Sequence, residues 1–253
     1  MRSIALVPAA LALTLTACPR EAPPEPTRPD TPAMNVPSAA AAPPPAPVAT
    51  DTGGAAPAAA PKPGGDPLDG KFTLADATKD LKGSGALLAK IETAKGTITC
   101  KLYEDKAPTT VANFVGLARG IRPFKDPVKK EWVTRPWYDG TVFHRIIKGF
   151  MIQGGDPLGN GSGEPGYTIK DEIWPGMTHD KVGQICMANR GPNTNGGQFF
   201  IMDAPTTRLD GNYTIFGECK PEQTVHDIAN GEVMGDRAKS PVTIKTVTIA
   251  REK

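Results

Sequence analysis

Short apolar runs separated by turn dipeptides dominate the second half of the chain. The dipeptides Gly154-Gly155, Asn195-Gly196 and Asp210-Gly211 punctuate these runs, and such pairs favour tight turns between strands. The segments between strands are too short for regular helical crossovers, which need about a dozen residues each. The pattern therefore predicts a mainly β, antiparallel sheet, and we expect it to close on itself as a barrel.

Two details of strand phase refine this expectation. Residues 89–92 and 97–102 alternate between apolar and polar side chains around the turn at 94–96, which predicts a hairpin. Near the end of the chain, Val247 and Ile249 are out of phase with Val242 and Ile244. That change of phase indicates a bulge or a break in the last strand.

Two helices are predicted beside the strands. The first begins at Pro108 and ends before Gly120, and its apolar positions follow helical spacing at Val111, Phe114, Val115 and Ala118. The second follows Pro221-Glu222, with apolar positions at Val225, Ile228 and Ala229. Each helix therefore has one face suited to packing on the sheet.

Composition divides the chain into a tail and a body. Residues 19–67 hold 15 of the 27 prolines and 13 alanines. They contain too little branched or aromatic side-chain surface to offset the entropy that the chain loses on ordering. We predict a disordered tether over 18–67, a pre-domain segment over 68–85 and one folded domain over 86–253. The net charge of +2 argues against a nucleic-acid partner, and we expect a monomer.

The first residues predict an export signal. Arg2 precedes an apolar run over 4–15 that is too short for a permanent membrane span. The run ends in Leu15-Thr16-Ala17-Cys18, which resembles a bacterial lipobox, so we expect a signal peptide over 1–17 and lipidation of Cys18. Because Pro19 rather than aspartate follows, the resemblance implies an anchor in the outer membrane, facing the periplasm. The alternative is an ordinary signal cleaved nearby, with Cys18 a stray thiol.

Three further cysteines lie in strand-like segments, at Cys100, Cys186 and Cys219. An odd number cannot form a complete disulfide framework, and the chain has no CxxC motif and only three histidines. We therefore expect three small buried hydrophobic residues. No metal and no other cofactor is predicted.

Two long segments carry a family resemblance. Residues 138–156 include Phe143-His144-Arg145 and Phe150-Met151-Ile152-Gln153-Gly154-Gly155, and residues 187–201 include Met187-Ala188-Asn189 and Gln198-Phe199-Phe200. With Leu209-Asp210-Gly211 further on, these segments resemble the cyclophilin family of peptidyl-prolyl cis-trans isomerases from about residue 89 onward. The resemblance implies a closed antiparallel eight-stranded barrel capped by two helices, and proline-containing polypeptides as substrates.

The chemistry of that reaction suits Arg145. Resonance in the peptide bond sets a rotation barrier of about 18–20 kcal/mol, and in the transition state the prolyl nitrogen becomes pyramidal with a localised lone pair. A fixed guanidinium can donate a hydrogen bond to that lone pair but not to the planar ground state. We therefore predict Arg145 as the catalytic residue; the alternative is a surface ion pair. The reaction transfers no proton, so the neighbouring His144 is interpreted as structural.

The resemblance also implies a substrate groove. A proline pocket is expected to be lined by Phe150, Met151, Phe200 and Leu209, with Tyr213 as an aromatic wall. Backbone and side-chain contacts to the peptide are expected from Gln153, Ala188, Asn189 and Gln198. Periodicity alone would instead make the four apolar residues ordinary core positions.

Three positions depart from well-studied eukaryotic members of that family. Arg208 stands in place of a tryptophan and Tyr213 in place of a histidine, while Arg190 occupies a position where a small residue is common. For Arg190 two interpretations stay open: a mild preference for acidic substrate residues upstream of proline, or a solvated side chain indifferent to substrate. A second function also stays open, in which the groove binds proline-containing segments as a chaperone or scaffold without turnover.

Overall fold

The computed structural model describes residues 66–253. The expected signal peptide over 1–17, the lipidation site at Cys18 and all but the last two residues of the expected tether lie outside these residues.

The described chain is built mainly from strands. The helices are α1 (Leu74–Thr78), α2 (Pro108–Arg119) and α3 (Glu222–Ala229), and a 3₁₀ turn spans Thr207–Leu209. The strands are β1 (Leu87–Thr93), β2 (Gly96–Leu102), β3 (Phe124–Lys125), β4 (Trp132–Val133), β5 (Val142–Ile147), β6 (Met151–Gly154), β7 (Gln184–Met187), β8 (Phe199–Met202), β9 (Ile215–Lys220), β10 (Val233–Met234) and β11 (Arg237–Arg251). No helix among residues 66–253 has the length and apolarity needed to cross a bilayer.

Eight strands form a closed barrel. Their order is β1-β2-β9-β7-β8-β6-β5-β11, and pairing of β1 with β11 closes the ring. Every pairing in the ring is antiparallel. The short β10 pairs with β11 at the end of this order, and β3 and β4 form a separate two-stranded sheet. The predicted closed, eight-stranded antiparallel barrel is therefore confirmed.

The predicted phase change in the last strand is a bulge at Lys245. Glu92 lies opposite Thr246 and the next residue, Thr93, lies opposite Ile244, so Lys245 has no partner on β1. One extra residue reverses which face the following side chains occupy. As a result Ile244, Val247 and Ile249 are all buried, although they do not share one period-two phase.

Both predicted helices are present, and α2 has its predicted ends. Pro108 is the first residue of α2, and Gly120 terminates it in the left-handed conformation at φ 67°, where glycine carries no steric penalty. Phe114 projects from α2 into the barrel, with its ring centre 4.9 Å from that of Tyr138 and 5.2 Å from that of Phe216. Helix α3 begins at Glu222, one residue earlier than the predicted start after Pro221-Glu222, and it buries Val225, Ile228 and Ala229.

The segment before the barrel packs on it through a buried cation. Arg122 is only 2% exposed; its guanidinium carbon lies 4.1 Å from the Tyr167 ring centre and 5.3 Å from that of Phe72. The same guanidinium forms an ion pair with Asp66 at 3.2 Å. Stacking and charge pairing offset part of the desolvation of Arg122, whose Nε and Nη1 groups have no hydrogen-bond partner among residues 66–253. The same contacts fix residues 66–72 against the domain.

The structure corrects the interpretation of two of the cysteines. Cys100 on β2 and Cys219 on β9 are directly opposite each other and form a disulfide. The odd number of cysteines concealed this pair, and 119 residues separate its members, so no local spacing indicated it. Cys186 is the remaining described cysteine. It is buried and unpaired as expected, and burial raises the pKa of its thiol well above the usual range.

Candidate active site

Three side chains stand in one row across neighbouring strands. On β5, Arg145 lies opposite Gln153 of β6, and Gln153 lies opposite Phe200 of β8. Residues directly opposite each other in an antiparallel sheet project from the same face. The row therefore places a cation, an amide and an aromatic ring side by side on one face of the barrel wall.

The face that carries this row also carries an apolar cluster distinct from the barrel core. We call it the groove cluster: its members are Phe150, Met151, Met177, Cys186, Phe200, Met202, Leu209 and Ile215. The alternate residues Ile152 and Ile201 belong to the barrel core instead, as strand alternation requires. The four side chains that were expected to line a proline pocket are thus together in the groove cluster, outside the barrel core.

Two side chains that depart from the family pattern contact the groove cluster. The Tyr213 ring meets Phe200 edge to face, with ring centres 5.6 Å apart, so the side chain predicted as an aromatic wall lies against a member of the groove cluster. The Arg208 guanidinium carbon lies 5.1 Å from the Phe150 ring centre, within the range of a cation–π contact. Arg208 therefore covers an aromatic member of the cluster.

A chain of hydrogen bonds orients the polar part of the row. The Nη1 group of Arg145 donates to Oε1 of Gln153 at 3.5 Å, and the Nε2 group of Gln153 donates to Oε1 of Gln198 at 3.1 Å. Gln198 in turn donates to the carbonyl oxygens of Gly161 and Gly163 at 2.9 and 3.0 Å. The loop around residue 161 thus holds Gln198, which holds Gln153 beside Arg145.

The opposite edge of Arg145 is held by a residue that the sequence analysis did not identify. Its Nε–H donates to the carboxylate of Asp236 at 2.5 Å. Asp236 lies 91 residues further along the chain and belongs to none of the segments that resemble the family. No local pattern could have identified it, because the contact depends on how β11 pairs with β5.

The remaining predicted residues border a polar pocket beside the row. The pocket is lined by Gln153, Gly161, Glu164, Ala188, Asn189, Arg190, Gly196 and Gln198. The Ala188 N–H donates to the Gln198 carbonyl oxygen at 3.0 Å, and the Asn189 amide donates to the Asn212 carbonyl oxygen at 2.8 Å. The backbone N–H of Ala188 is thus already used within the protein.

Arg190 is engaged in this pocket. It forms a close ion pair with Glu164 and donates to the Gly161 carbonyl oxygen at 2.9 Å. Burial raises the pKa of Glu164, although the positive charge of Arg190 acts in the opposite direction. The side chains of Arg190 and Glu164 are 42 and 34% exposed, so Arg190 is ion-paired and still accessible to solvent.

His144 is buried and is not part of the hydrogen-bonded row. Its side chain is 5% exposed, and among residues 66–253 neither ring nitrogen has a hydrogen-bond partner. Burial lowers its pKa, which favours the neutral imidazole.

Comparisons with known proteins agree with this architecture. Residues 88–249 match the family model described as cyclophilin type peptidyl-prolyl cis-trans isomerase/CLD. Peptidyl-prolyl cis-trans isomerase A of Mycobacterium tuberculosis is 45% identical over 166 residues, which cover 64% of this chain and 91% of that protein. Peptidyl-prolyl cis-trans isomerase B of Streptomyces anulatus is 52% identical over 136 residues, covering 54% and 78%.

Solved structures extend the likeness to three dimensions. A Cryptosporidium parvum cyclophilin type peptidyl-prolyl cis-trans isomerase superposes with a TM-score of 0.57 and 31% identity, covering 66% of this chain and 99% of that one. A second structure of the same protein, obtained in the presence of the dipeptide Ala-Pro, gives a TM-score of 0.56 at 31% identity, with 65% and 99% coverage. The chain belongs to the cyclophilin family, and it is a peptidyl-prolyl cis-trans isomerase.

Proposed function

We propose that this isomerase accelerates X-Pro isomerisation in proteins of the bacterial cell envelope, and that Arg145 stabilises the twisted amide. The observation that carries the proposal is the row on β5, β6 and β8, in which Arg145 stands beside Gln153 and the apolar Phe200. A proline bound at Phe200 has a guanidinium within reach of its nitrogen. Because the reaction transfers no proton, it requires only an apolar slot for proline beside a fixed hydrogen-bond donor.

The groove cluster suits the proline ring. Its members Phe150, Met151, Phe200 and Leu209 are between 1 and 5% exposed, so they form a packed surface whose apolar atoms need no polar partner. A pyrrolidine ring on that surface is removed from water, which contributes about 25 cal/mol per Å² of buried apolar area. The solved relative that was crystallised with Ala-Pro supports a proline-containing ligand for this site by similarity.

The donors of Arg145 suit the transition state. A guanidinium has five N–H groups, and here Nε–H faces Asp236 while Nη1 faces Gln153. Among residues 66–253, no hydrogen bond engages Nη2, so its two N–H groups can serve the substrate. A hydrogen bond to the prolyl nitrogen strengthens as the amide twists and its lone pair localises, which lowers the barrier without any proton transfer.

The cell-envelope location is supported by two independent features. The apolar run and Leu15-Thr16-Ala17-Cys18 favour export and lipidation, and the Cys100–Cys219 disulfide suits an oxidising compartment such as the periplasm. In this proposal residues 18–67 are the tether that links the domain to an outer-membrane anchor.

Catalysis is tested by NMR exchange or a protease-coupled assay on a Suc-Ala-Xaa-Pro-Phe type peptide. Arg145→Ala is expected to lower kcat/KM by about 100-fold, since removal of one preorganised donor costs about 10²–10³. Arg145→Lys keeps the charge without the planar fork and should recover only part of the loss. Arg135→Ala is the control, because Arg135 pairs with Asp126. Full activity in Arg145→Ala would overturn the proposed role.

The same assay separates turnover from binding alone. In a chaperone or scaffold without turnover, the wild-type chain would bind proline peptides in the groove but give no measurable acceleration. The retained row of Arg145, Gln153 and Phe200 favours turnover. Peptide binding without acceleration in the wild type would favour the chaperone.

Lipid anchoring is tested at Cys18. In a bacterial host fed labelled palmitate, the wild-type chain should incorporate label and sediment with the outer membrane. Cys18→Ala should incorporate none and appear in the soluble periplasmic fraction. Equal membrane association of the two chains would contradict the lipid anchor.

A further inference from the structure

The hairpin of β10 and β11 lies next to the catalytic strand. Val233 pairs with Ala238 and Met234 with Arg237, so Gly235 and Asp236 form the turn. Arg237 in turn lies opposite Arg145 on β5. The turn of this hairpin is therefore adjacent to the proposed catalytic residue.

Asp236 is attached to β5 at two consecutive residues. Its backbone carbonyl oxygen accepts a hydrogen bond from the N–H of Ile146 at 2.8 Å. Its carboxylate accepts the Nε–H of Arg145 at 2.5 Å. Because the backbone of Asp236 is tied to the strand that carries Arg145, the carboxylate is held at a defined place relative to the guanidinium.

We infer that Asp236 is a positioning residue that fixes the guanidinium plane of Arg145 toward the groove. The inference rests on the proposed catalytic role of Arg145. Asp236 thus acts through Arg145 rather than by contact with the substrate.

The distances show why Gln153 alone does not orient the guanidinium. The contact from Nη1 to Gln153 is 3.5 Å, at the outer limit of a hydrogen bond, whereas the contact to Asp236 is short and charge-assisted. An arginine has several rotatable bonds and is costly to immobilise. Without Asp236, a single weak contact would remain on the guanidinium, and the donors would sample orientations away from the prolyl nitrogen.

The effect on catalysis should exceed the effect on folding. The Asp236 side chain is 50% exposed, and ion pairs with that much solvent access add little to stability. Orientation of a catalytic group is more sensitive, because a displacement of about 1 Å can cost about 10²-fold in rate. A positioning role therefore predicts that a variant at Asp236 has a lower kcat than the wild type but unfolds at the same temperature.

The experiment compares Asp236→Ala, Asp236→Asn and Arg145→Ala in the full-length chain. We expect Asp236→Ala to lower kcat by about tenfold with KM unchanged, since the proline slot is intact. Asp236→Asn keeps an acceptor for Nε–H but loses the charge, and should lower kcat by about threefold. The matched control is Glu232→Gln: Glu232 lies on the same hairpin, is exposed and pairs with Lys239 at 3.5 Å, so kcat should equal that of the wild type.

A second readout follows the guanidinium itself. The Nε–H resonance of Arg145, assigned in ¹⁵N spectra by its absence from Arg145→Lys, should shift and exchange faster with solvent in Asp236→Ala. It should be unchanged in Glu232→Gln. If Asp236→Ala does not fold, kcat and the Nε–H resonance are both measured on Asp236→Asn.

The outcomes distinguish this inference from the proposed function. Wild-type kcat in Asp236→Ala, with a large loss in Arg145→Ala, would overturn the positioning role and leave the role of Arg145 standing. A loss of kcat with an unmoved Nε–H resonance would also overturn it, because Asp236 would then act by another route. Wild-type activity in Arg145→Ala would overturn the proposed function and the inference together.

Discussion

Phe199 and Phe200 are neighbours on one strand but belong to different parts of the molecule. The Phe199 ring lies inside the barrel, with ring centres 5.7 Å from Phe114, 5.5 Å from Tyr138 and 6.1 Å from Phe143. The Phe200 ring lies in the groove cluster against Tyr213. Both are buried, at 0 and 5% exposure, so burial alone does not distinguish a core residue from a binding residue.

The difference lies in what surrounds each ring. The barrel core is enclosed by eight paired strands, and its aromatic rings pack against one another. The groove cluster has the sheet on one side and the row of Arg145 and Gln153 at its edge. We therefore expect changes in the barrel core to alter the free energy of unfolding, and changes in the groove cluster to alter turnover.

The largest expected effect is on the stability of the barrel core. Phe199→Ala should lower the free energy of unfolding by about 3–5 kcal/mol, because it leaves a cavity among rings that have little freedom to collapse. Urea unfolding followed by circular dichroism measures the change. A loss below about 1 kcal/mol would show that this region is not the packed core.

The disulfide should affect stability more than activity, because it crosslinks two barrel strands away from the row. Reduction of Cys100–Cys219, or the double change Cys100→Ala with Cys219→Ala, should lower the free energy of unfolding by about 2–4 kcal/mol. Activity well below the melting temperature should persist. The double variant serves as the control, because it has no disulfide to reduce and its urea midpoint should be the same with and without reductant. If reductant also left the urea midpoint of the wild type unchanged, the disulfide would be contradicted.

The groove cluster should show the reverse pattern. Phe200→Ala is expected to lower kcat/KM by about 10- to 100-fold, the range that lost contacts in an apolar pocket give. Its loss of unfolding free energy should be smaller than that of Phe199→Ala, and Phe200→Leu should recover part of the activity by restoring apolar area. If Phe200→Ala and Phe199→Ala lost stability equally and Phe200→Ala kept its activity, the distinction between the two regions would fail.

The smallest expected effect concerns specificity in the polar pocket. Glu164→Gln should free Arg190 from its ion pair. The preference for a substrate with Glu rather than Lys two residues before proline should then rise by about two- to threefold. The change is modest because the ion pair is partly exposed. The measurement is the ratio of kcat/KM for the two peptides. An unchanged ratio would mean that Arg190 does not meet that substrate residue.

The pH dependence of this ratio follows from Glu164. Burial raises the pKa of Glu164, so its carboxylate takes up a proton at a higher pH than an ordinary glutamate. As pH falls from neutral into the mildly acidic range, the wild-type ratio should move toward that of Glu164→Gln. Glu164→Gln itself should show no such shift over the same interval.

Much of the site was predictable because it is encoded in contiguous segments. The segments 138–156 and 187–201 supply Arg145, Gln153 and Phe200, and strand alternation then places their neighbours on one face. The ends of α2 followed from Pro108 and Gly120, which act through local backbone conformation. Features that depend on a few adjacent residues were therefore accessible from sequence.

The features that the sequence analysis missed depend on distant pairings. Cys100 meets Cys219 because β2 pairs with β9, and counting cysteines gave the wrong expectation for that pair. Glu164 neutralises Arg190 only once two loops face the same pocket. Asp236 meets Arg145 only because the bulged β11 lies beside β5.

The sequence by itself determined the strand-rich architecture, the family and the residues of the row, because period-two alternation, turn dipeptides and clustered motifs act over short distances. Only the tertiary structure decided which charges accompany Arg145 and Arg190. Those contacts join residues far apart in the chain, and closure of the barrel, rather than any local preference, brings them together.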